Sequence, residues 1–367
     1  MSLKSKLYSV YKKFNDSAVV ATLSHFYYLK IKKNRFDDKA EYEKESNPGL
    51  PKIAIVCDEM TYWNFKEFCN LRFVRPDNWK KVLKEFKPEI FLCESAWCGI
   101  DAYPDCWRCR IYRNHRVLFE NRKELLEILA YCKQNGIKTV FWNKEDPTFF
   151  GNKQYDYIDT ALKFDHIFTT CAECVEKYKA LGAKNVQPLM FGFSPALFND
   201  KKMSRKENCA VFAGSWYADA PERCRDMEKL FDMILDKGIE LRIYDRHYGI
   251  NNANFTFPEK YQPFVHPAVP YNKINEIFKD VRYAVNINTV KDSSTMFARR
   301  VFELMACGKC IISNESKGMR EIFGDGVWFA GEDFDFDHLD EICERNKETV
   351  LREHSFKARV EQIINSL

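Results

Sequence analysis

The apolar positions of this chain fall into short unbroken runs, separated by longer stretches of helical period. After the turn-rich KESNPGLP comes IAIVC (53–57), a run with no polar interruption, as a strand buried on both faces requires. The pattern then repeats. DNWKKVLKEF (77–86) predicts a helix, EIFLCE (89–94) a strand, NRKELLEILAYCKQNG (121–136) a helix closed by glycine, and KTVFW (138–142) a strand. YDYIDTALKF (155–164) predicts a helix, HIFT (166–169) a strand, CAECVEKYKALG (171–182) a helix ending on Gly182, and VQPLM (186–190) a strand. Strands alternating with helices predict an open parallel α/β sheet.

Residues 191–208 have no period and many turn formers, and predict a linker. The alternation then resumes with CAVFAG (209–214), the helix APERCRDMEKLFDMILDKG, ELRIYD (240–245) and a polar, aromatic loop. The helix YNKINEIFKD (271–280), RYAVNIN (282–288) and VWFAG (327–331) follow, and helical segments near 337–349 and 355–366 end the chain. The whole reads as two α/β halves. Open sheets of this kind bind ligands beyond the carboxyl ends of their strands, so two such halves predict a cleft.

Composition agrees with two domains. The chain has 367 residues, 46% of them hydrophobic and 15% aromatic, enough for two packed cores. No apolar run approaches the roughly 18 residues of a membrane span, and MSLKSKLYSVYKKF lacks the apolar core of a secretory signal. Fourteen cysteines in such a chain predict reduced thiols and a cytoplasmic location. The net charge of +4 hides an asymmetry. Residues 1–36 carry eight basic side chains and one acid, Asp16, while the remainder is slightly acidic. Aromatic and aliphatic residues accompany the basic ones. Such a leader fits a helical extension packed on the main body, or peripheral contact with an anionic membrane at its inner face. The main body offers no basic stripe for nucleic acid.

Candidate chemistry narrows the reading. No G-x-G-x-x-G follows a strand and no G-x-x-x-x-G-K-[ST] occurs, so dehydrogenase, ATPase and kinase lack their fingerprints. TVKDSSTMFARRVFELMACG follows the strand RYAVNIN at a carboxyl edge. Ser293, Ser294 and Thr295 are expected to cap its helix, Arg299 and Arg300 supply forked donors suited to phosphate, and Glu303 shares a face with Arg299. A carboxylate beside a diphosphate fits if it accepts from a ribose diol. The same residues also fit an ordinary amphipathic helix with a surface Arg–Glu pair. Cys106-x-x-Cys109 and Cys171-x-x-Cys174 lie too far apart in sequence for a compact zinc ribbon. Asp333, Asp335 and Asp337 are expected at a helix start, where carboxylates are favoured. No metal site and no cofactor are expected. His115 is a loop histidine that could line the cleft or stand in solvent.

The ordered set FWNKEDPTFF (141–150), DHIFTTCAECVEKYKALGAKNVQPLMFGFSPALF (165–198), FAGSWYADAPER (212–223), VPYNKINEIFKDVRYAVNINTV (269–290) and FARRVFELMACGKCIISNESKGMREIFGDG resembles GT-B glycosyltransferases of group 1, closest to the spore-maturation CgeB-like branch. The resemblance covers most of residues 50–345. It implies two Rossmann-like domains facing across a cleft, a nucleotide-diphosphate sugar bound on the C-terminal one, and an acceptor on the N-terminal one. It also implies a last helix that returns to the first domain. The boundaries expected are a basic leader at 1–50, the acceptor domain at 51–200, the donor domain at 206–350 and the returning helix at 351–367.

By the same resemblance Glu303 binds ribose, Arg299 binds diphosphate with Arg300 beside it, and Gly214, Ser215 and Trp216 form the loop that approaches phosphate. The stretch His266 to Tyr271, with Val269, reads the base. Tyr244, Asn288 and Ser294 complete the donor set. Many retaining group 1 enzymes carry a second acid where this chain has Thr295, so the resemblance leaves sugar and stereochemistry open. If the enzyme inverts, a general base is needed in the N-terminal domain; if it retains configuration, none of the acids there need serve as one. Acids at carboxyl edges there are Asp146, Glu145, Glu94 and Glu59, in that order of preference, with Asp58 alongside; an acid before proline also commonly caps a turn. The activity implied is glycosyl transfer to a glycan or lipid-linked acceptor, as in surface polysaccharide synthesis. A non-catalytic sugar-nucleotide binding module or a GT-B epimerase would keep the same donor site.

Overall fold

The computed structural model describes residues 18–27, 29, 36, 47–201 and 207–367. Most of the basic leader lies outside the described residues. The chain separates into two compact units, Met1–Leu189 with Ser366–Leu367, and Met190–Asn365.

The first unit contains β1 (Lys52–Val56), β2 (Asn70–Phe73), β3 (Ile90–Glu94), β4 (Lys138–Asn143), β5 (His166–Thr169) and β6 (Val186–Pro188). They form one parallel sheet in the order β2-β1-β3-β4-β5-β6. Ile53 to Val56 and Ile90 to Glu94 are buried without interruption. Alternate residues point to opposite faces, so both faces are covered, and this is why the strands read as unbroken apolar runs. The strand order reverses direction between β1 and β3.

The second unit contains β7 (Glu207–Gly214), β8 (Glu240–Asp245), β9 (Val265–Pro267), β10 (Val281–Asn286), β11 (Cys310–Ser313) and β12 (Val327–Phe329). Their order is β12-β11-β10-β7-β8-β9, again all parallel. Renumbered within the unit this is the doubly wound order 3-2-1-4-5-6, whose switch point falls between its first and fourth strands, here β7 and β10. The core joins β7, β8 and β10 to one face of the helix Pro221–Asp236 through Met227, Leu230, Phe231 and Ile234.

Several elements differ from the sequence-based expectation. The edge strands β2 and β9 are four and three residues long, too short for a hydrophobic period to register. The expected helix 271–280 is a 3₁₀ helix, Tyr271–Phe278, which follows Pro270 with no side-chain cap. The expected helix 171–182 is a 3₁₀ turn, Ala172–Cys174, leading into the short helix Val175–Ala180.

The start of the expected linker is packed chain. Phe191, Phe193 and Phe198 are buried. Phe193 N donates to His354 O at 3.2 Å, Phe356 N donates to Phe193 O at 2.9 Å, and Arg359 donates to the carbonyls of Met190 and Phe191. Gly192 is needed there, because a Cβ would stand 2.8 Å from His354 O. The unit boundary therefore lies at Leu189/Met190 rather than near 200. The last helix, Phe356–Asn365, groups with the second unit, and only Ser366–Leu367 group with the first.

Candidate functional site

The helix of the second unit that follows β10 starts at Arg300 and ends at Ala306, with Arg299 in the cap position and no side-chain cap. Ser293, Ser294 and Thr295 lie upstream of it and do not cap it. Ser293 Oγ accepts instead from the amides of Met296 (2.9 Å) and Thr295 (3.3 Å), closing a turn. That turn is pinned by Gly318 N donating to Ser293 O and Lys317 N to Lys291 O, and this delays the helix. A Cβ on Gly318 would stand 2.6 Å from Ser294 O, so only glycine lets the two segments meet. The helix stops where the sequence predicts, with Gly308 at φ +65°.

Glu303 is completely buried. Its Oε1 accepts from the Tyr271 hydroxyl at 2.8 Å and pairs with Arg299. The Arg299 guanidinium lies 5.1 Å above the Tyr271 ring, which in turn meets Phe198 edge-on. Burial alone would lower the Arg299 pKa, but Glu303 and Tyr271 hold it above the usual value. Glu303 Oε2 has no partner among the described residues. A buried polar atom left so costs about 1–3 kcal/mol, more for a charged group, so it invites a donor from outside the chain.

Arg300 stands next to this carboxylate, half-buried, with its Nε unpartnered. Burial and the neighbouring Arg299 lower its pKa to about 10, and Arg246 adds to the repulsion. Arg246 also acts on Arg223, which burial pushes below the usual arginine value. Arg223 donates to Ser215 O at 2.9 Å and covers the Tyr217 ring. No salt bridge to Arg223, Arg246 or Arg300 occurs among the described residues. Sequence reasoning did not single out Arg223 or Arg246. The signal available was their place: Arg246 directly follows β8, and Arg223 opens the helix after β7, both at carboxyl edges.

The remaining donor-set residues divide. Gly214, Ser215 and Trp216 close β7 at the switch point. Ser215 Oγ is buried and unpartnered, whereas Trp216 is a core side chain against Phe257. Asn288 is buried and positions the loop: its Oδ1 accepts from Ala298 N, and its backbone holds Asn314. Tyr244 and His266, at the ends of β8 and β9, pair with ring centroids 5.3 Å apart. Val269 is half-buried in the loop before Tyr271. A cavity of about 380 Å³ opens at this edge, lined by Arg223, Arg225, Asp226, Asn288, Thr289 and Lys291. A cavity of about 550 Å³ in the first unit lies at the amino ends of β4 and β5, the edge open sheets do not use for ligands.

In the first unit the candidate acids are not equivalent. Glu94 is fully buried. Its Oε1 accepts from Asp58 N (2.6 Å) and Lys144 Nζ (2.8 Å), and its Oε2 from the Thr61 hydroxyl. Burial raises its pKa and Lys144 opposes the rise. Asp146 is also fully buried, with its pKa pushed up to about 7 by burial. Asn143 Nδ2 donates to its Oδ1, and the hydroxyls of Thr169 and Tyr178 donate to its Oδ2. Glu59 accepts from Trp63 Nε1 on one oxygen and from Asp101 N on the other. Glu145 is half-buried; Trp97 Nε1 donates to its Oε1 at 3.0 Å.

Among the described residues no three His, Cys, Asp or Glu side chains converge as a metal site. Cys106, Cys109, Cys171 and Cys174 are buried free thiols. Asp335 accepts from the Asp337 and His338 amides in a turn before the helix Leu339–Glu353, and His115 pairs with Asp156. No helix among the described residues is long and apolar enough to cross a membrane.

Residues 228–365, most of the second unit, match the family model described as glycosyl transferase-like. No curated protein matches the chain. Among solved structures, HepE of Anabaena in complex with UDP-glucose is similar over 84% of this chain and 88% of its own, with a TM-score of 0.51 and 10% identity. A glycosyltransferase from Rickettsia africae gives 86% and 97%, with a TM-score of 0.50 and 12% identity. Sucrose-phosphate synthase from Thermosynechococcus elongatus gives 88% and 86%, with a TM-score of 0.51 and 10% identity. At such identities the likeness is one of fold, and the fold is GT-B.

Proposed function

We propose that this GT-B chain, with its glycosyl transferase-like C-terminal stretch, is a glycosyltransferase. It takes a nucleoside-diphosphate sugar in the second unit and passes the sugar to a hydroxyl of a glycan or lipid-linked acceptor. The observation that carries the reading is Glu303. Its buried, unpartnered Oε2 asks for a hydroxyl donor, and unpaired arginines stand beside it. A ribose diol joined to a diphosphate supplies both halves: a hydroxyl for Oε2 and two charged phosphates for Arg300, Arg223 and Arg246. Arg299, already paired with Glu303, steadies the carboxylate and reaches the same charge.

The arrangement suits a leaving group that gains charge. As the bond from the sugar to phosphate breaks, negative charge builds on the departing diphosphate. Guanidinium groups already fixed in a partly buried site stabilise that charge without reorganising. The Anabaena neighbour was solved with UDP-glucose, which puts UDP first among the donors to try.

The test is a thermal-shift screen of UDP, GDP, ADP, CDP and dTDP against wild type and Glu303→Ala. A diphosphate at 100 times its Kd stabilises the fold by about 2.7 kcal/mol. One base is expected to raise the melting temperature of the wild type and to lose that effect in the variant. A wild type unmoved by all five, with or without magnesium or manganese, would return Glu303 to an ordinary packed helix. Product analysis then separates transfer, which yields a new glycoside, from epimerisation, which yields an isomeric sugar nucleotide.

A further inference from the structure

The helix Ala18–Phe26 has two sides with different surroundings. On one, His25 is buried and Ala21 half-buried, and the His25 ring meets Tyr112 edge-on with centroids 6.2 Å apart. Just beyond the helix, Arg110 pairs with Glu124 and donates to the Leu29 carbonyl at 3.5 Å, and the Phe36 ring meets Tyr103 edge-on at 5.4 Å. The first unit therefore holds this helix by the side that carries Ala21 and His25. Val19, Leu23 and Phe26 lie on the other side. They recur at i, i+4 and i+7, within about 60° around the helix and opposite Ala21. They are 64%, 62% and 46% exposed, and Tyr27, next along the chain, is 47% exposed.

Other exposed large apolar side chains of the first unit, Leu50, Leu118, Leu162 and Leu181, each stand alone in a turn or at a helix end, the scatter expected of any protein surface. The stripe on Ala18–Phe26 is contiguous, and its sequence setting is distinctive. Ser17 to Leu29 holds no Lys, Arg, Asp or Glu. Four lysines precede that window, three lysines and Arg35 follow it, and Asp16 is the only acid before Asp37. The stripe gains from leaving water, and the flanks gain from negative charge. A second copy of the chain meets the first demand and violates the second, because its own leader is equally basic. An anionic lipid surface meets both. The helix has nine residues, about 13 Å, against a hydrocarbon core of about 30 Å, so it is too short to cross a bilayer and suits the interface.

We propose that Ala18–Phe26 is a membrane-docking helix: Val19, Leu23, Phe26 and Tyr27 enter the boundary between headgroups and acyl chains of an anionic bilayer, and the flanking basic residues pair with the lipid phosphates. The inference concerns the first unit alone and does not depend on the glycosyltransferase reading. Attachment of this kind is peripheral and reversible. A stripe of three or four side chains holds weakly to a neutral bilayer, and basic residues alone act only over the screening length, about 8 Å at physiological salt. Binding therefore needs both the stripe and the lipid charge. The contacts of His25 and Leu29 with the first unit leave the stripe outward, so exposed side chains can be changed there without disturbing the core.

Sedimentation of the full chain with vesicles tests it, using phosphatidylcholine alone and phosphatidylcholine mixed with phosphatidylglycerol. The wild type is expected to pellet with the anionic vesicles, to stay in the supernatant with the neutral ones, and to be released from the anionic ones at about 0.5 M salt. Leu23→Ser combined with Phe26→Ser keeps the charge and removes half of the stripe; it is expected to bind the anionic vesicles about tenfold more weakly, or less still. Val19→Ser is expected to fall between the two, and it carries the comparison if the double variant does not fold. Leu181→Ser, at an isolated exposed position, is expected to pellet like the wild type. A wild type that stays in the supernatant with anionic vesicles, equal pelleting on neutral and anionic vesicles, or a folded double variant that pellets like the wild type each overturns the proposal. So does a wild-type dimer, seen by light scattering, that the double variant abolishes while vesicle binding is unchanged; the stripe then meets a second copy of the chain.

Discussion

The two sheets share an all-parallel construction, yet their carboxyl edges differ in how far the chain has satisfied its own charges. In the first unit the switch point between β1 and β3 is occupied by the chain itself. The carboxylate of Asp58 accepts from three successive amides, Trp97, Cys98 and Gly99, as a bound anion would. Glu94 and Lys144 neutralise one another beneath it. In the second unit Asp226, beside the switch point between β7 and β10, pairs with Lys291 and accepts from Asn314, but no carboxylate among the described residues pairs with Arg223, Arg246 or Arg300. Arg246 repels both Arg223 and Arg300, and among the described residues Ser215 Oγ and Glu303 Oε2 have no partner. One edge has satisfied most of its own electrostatics within the chain. The other keeps unpaired arginines and a free carboxylate oxygen among the described residues. The same architecture thus leaves unmet hydrogen-bonding and charged groups at the second edge and few at the first.

Removing the internal balance of the first unit should have the largest effect. Lys144→Met leaves Glu94 buried and unpaired, which costs about 3–5 kcal/mol when one partner of such a pair is lost. Chemical denaturation of the variant would show this as a lower midpoint with little change in slope. Glu94→Gln added to Lys144→Met should recover much of the loss, because no charge is then left uncompensated. A single variant as stable as wild type would mean that water reaches Glu94 and that this edge is not self-contained.

Asp146 sharpens the same point through pH. Its pKa is about 7 in the folded chain against an ordinary 3.8. A carboxyl whose folded pKa is raised contributes stability that is fully present below about pH 4 and is lost as the pH rises towards 7. Each pH unit between the two values is worth about 1.4 kcal/mol, so the loss amounts to a few kcal/mol at most. Asp146→Asn should flatten this part of the profile: between pH 5 and 8 the wild-type melting temperature falls more steeply than the variant's. Parallel profiles would show that Asp146 stays ionised in its pocket throughout.

Much of this was legible in the sequence, and the missing part has a physical cause. Nine of the strands lie where the sequence predicts them, most because burial on both faces leaves no polar position to break the apolar run. The helix after β10, its arginines, Glu303 and the terminal Gly308 were also legible, since spacing alone puts them on one element. What separates the surroundings of Asp146 and Glu145 was not. Adjacent acids at one strand end look alike until Thr169 and Tyr178, from two other elements, close over the first and leave the second open. Arg246 was hidden for a similar reason. An arginine after a strand carries no pattern of its own, and its meaning comes from Arg223 and Arg300, distant in sequence. The capping role of Ser293 failed because its Oγ closes a turn upstream of the helix, and contacts with Lys317 and Gly318 pin that turn.

Arg246 offers the smallest effect and the clearest test of sign. It is exposed, so its attraction for a diphosphate is screened, and Arg246→Ala should weaken nucleotide binding by only about two- to fivefold. The same substitution removes a positive charge that opposes both Arg223 and Arg300 in the empty protein. The ligand-free variant should therefore melt at or slightly above the wild-type temperature, while its nucleotide-induced shift shrinks. The two changes have opposite signs, which a general loss of packing cannot produce. Both should fade by about 0.5 M salt, where the screening length falls well below its physiological value of about 8 Å. A variant that loses ligand-free stability and binding together would place Arg246 in the packing of the β8 edge and leave Arg223 and Arg300 to meet the phosphates alone.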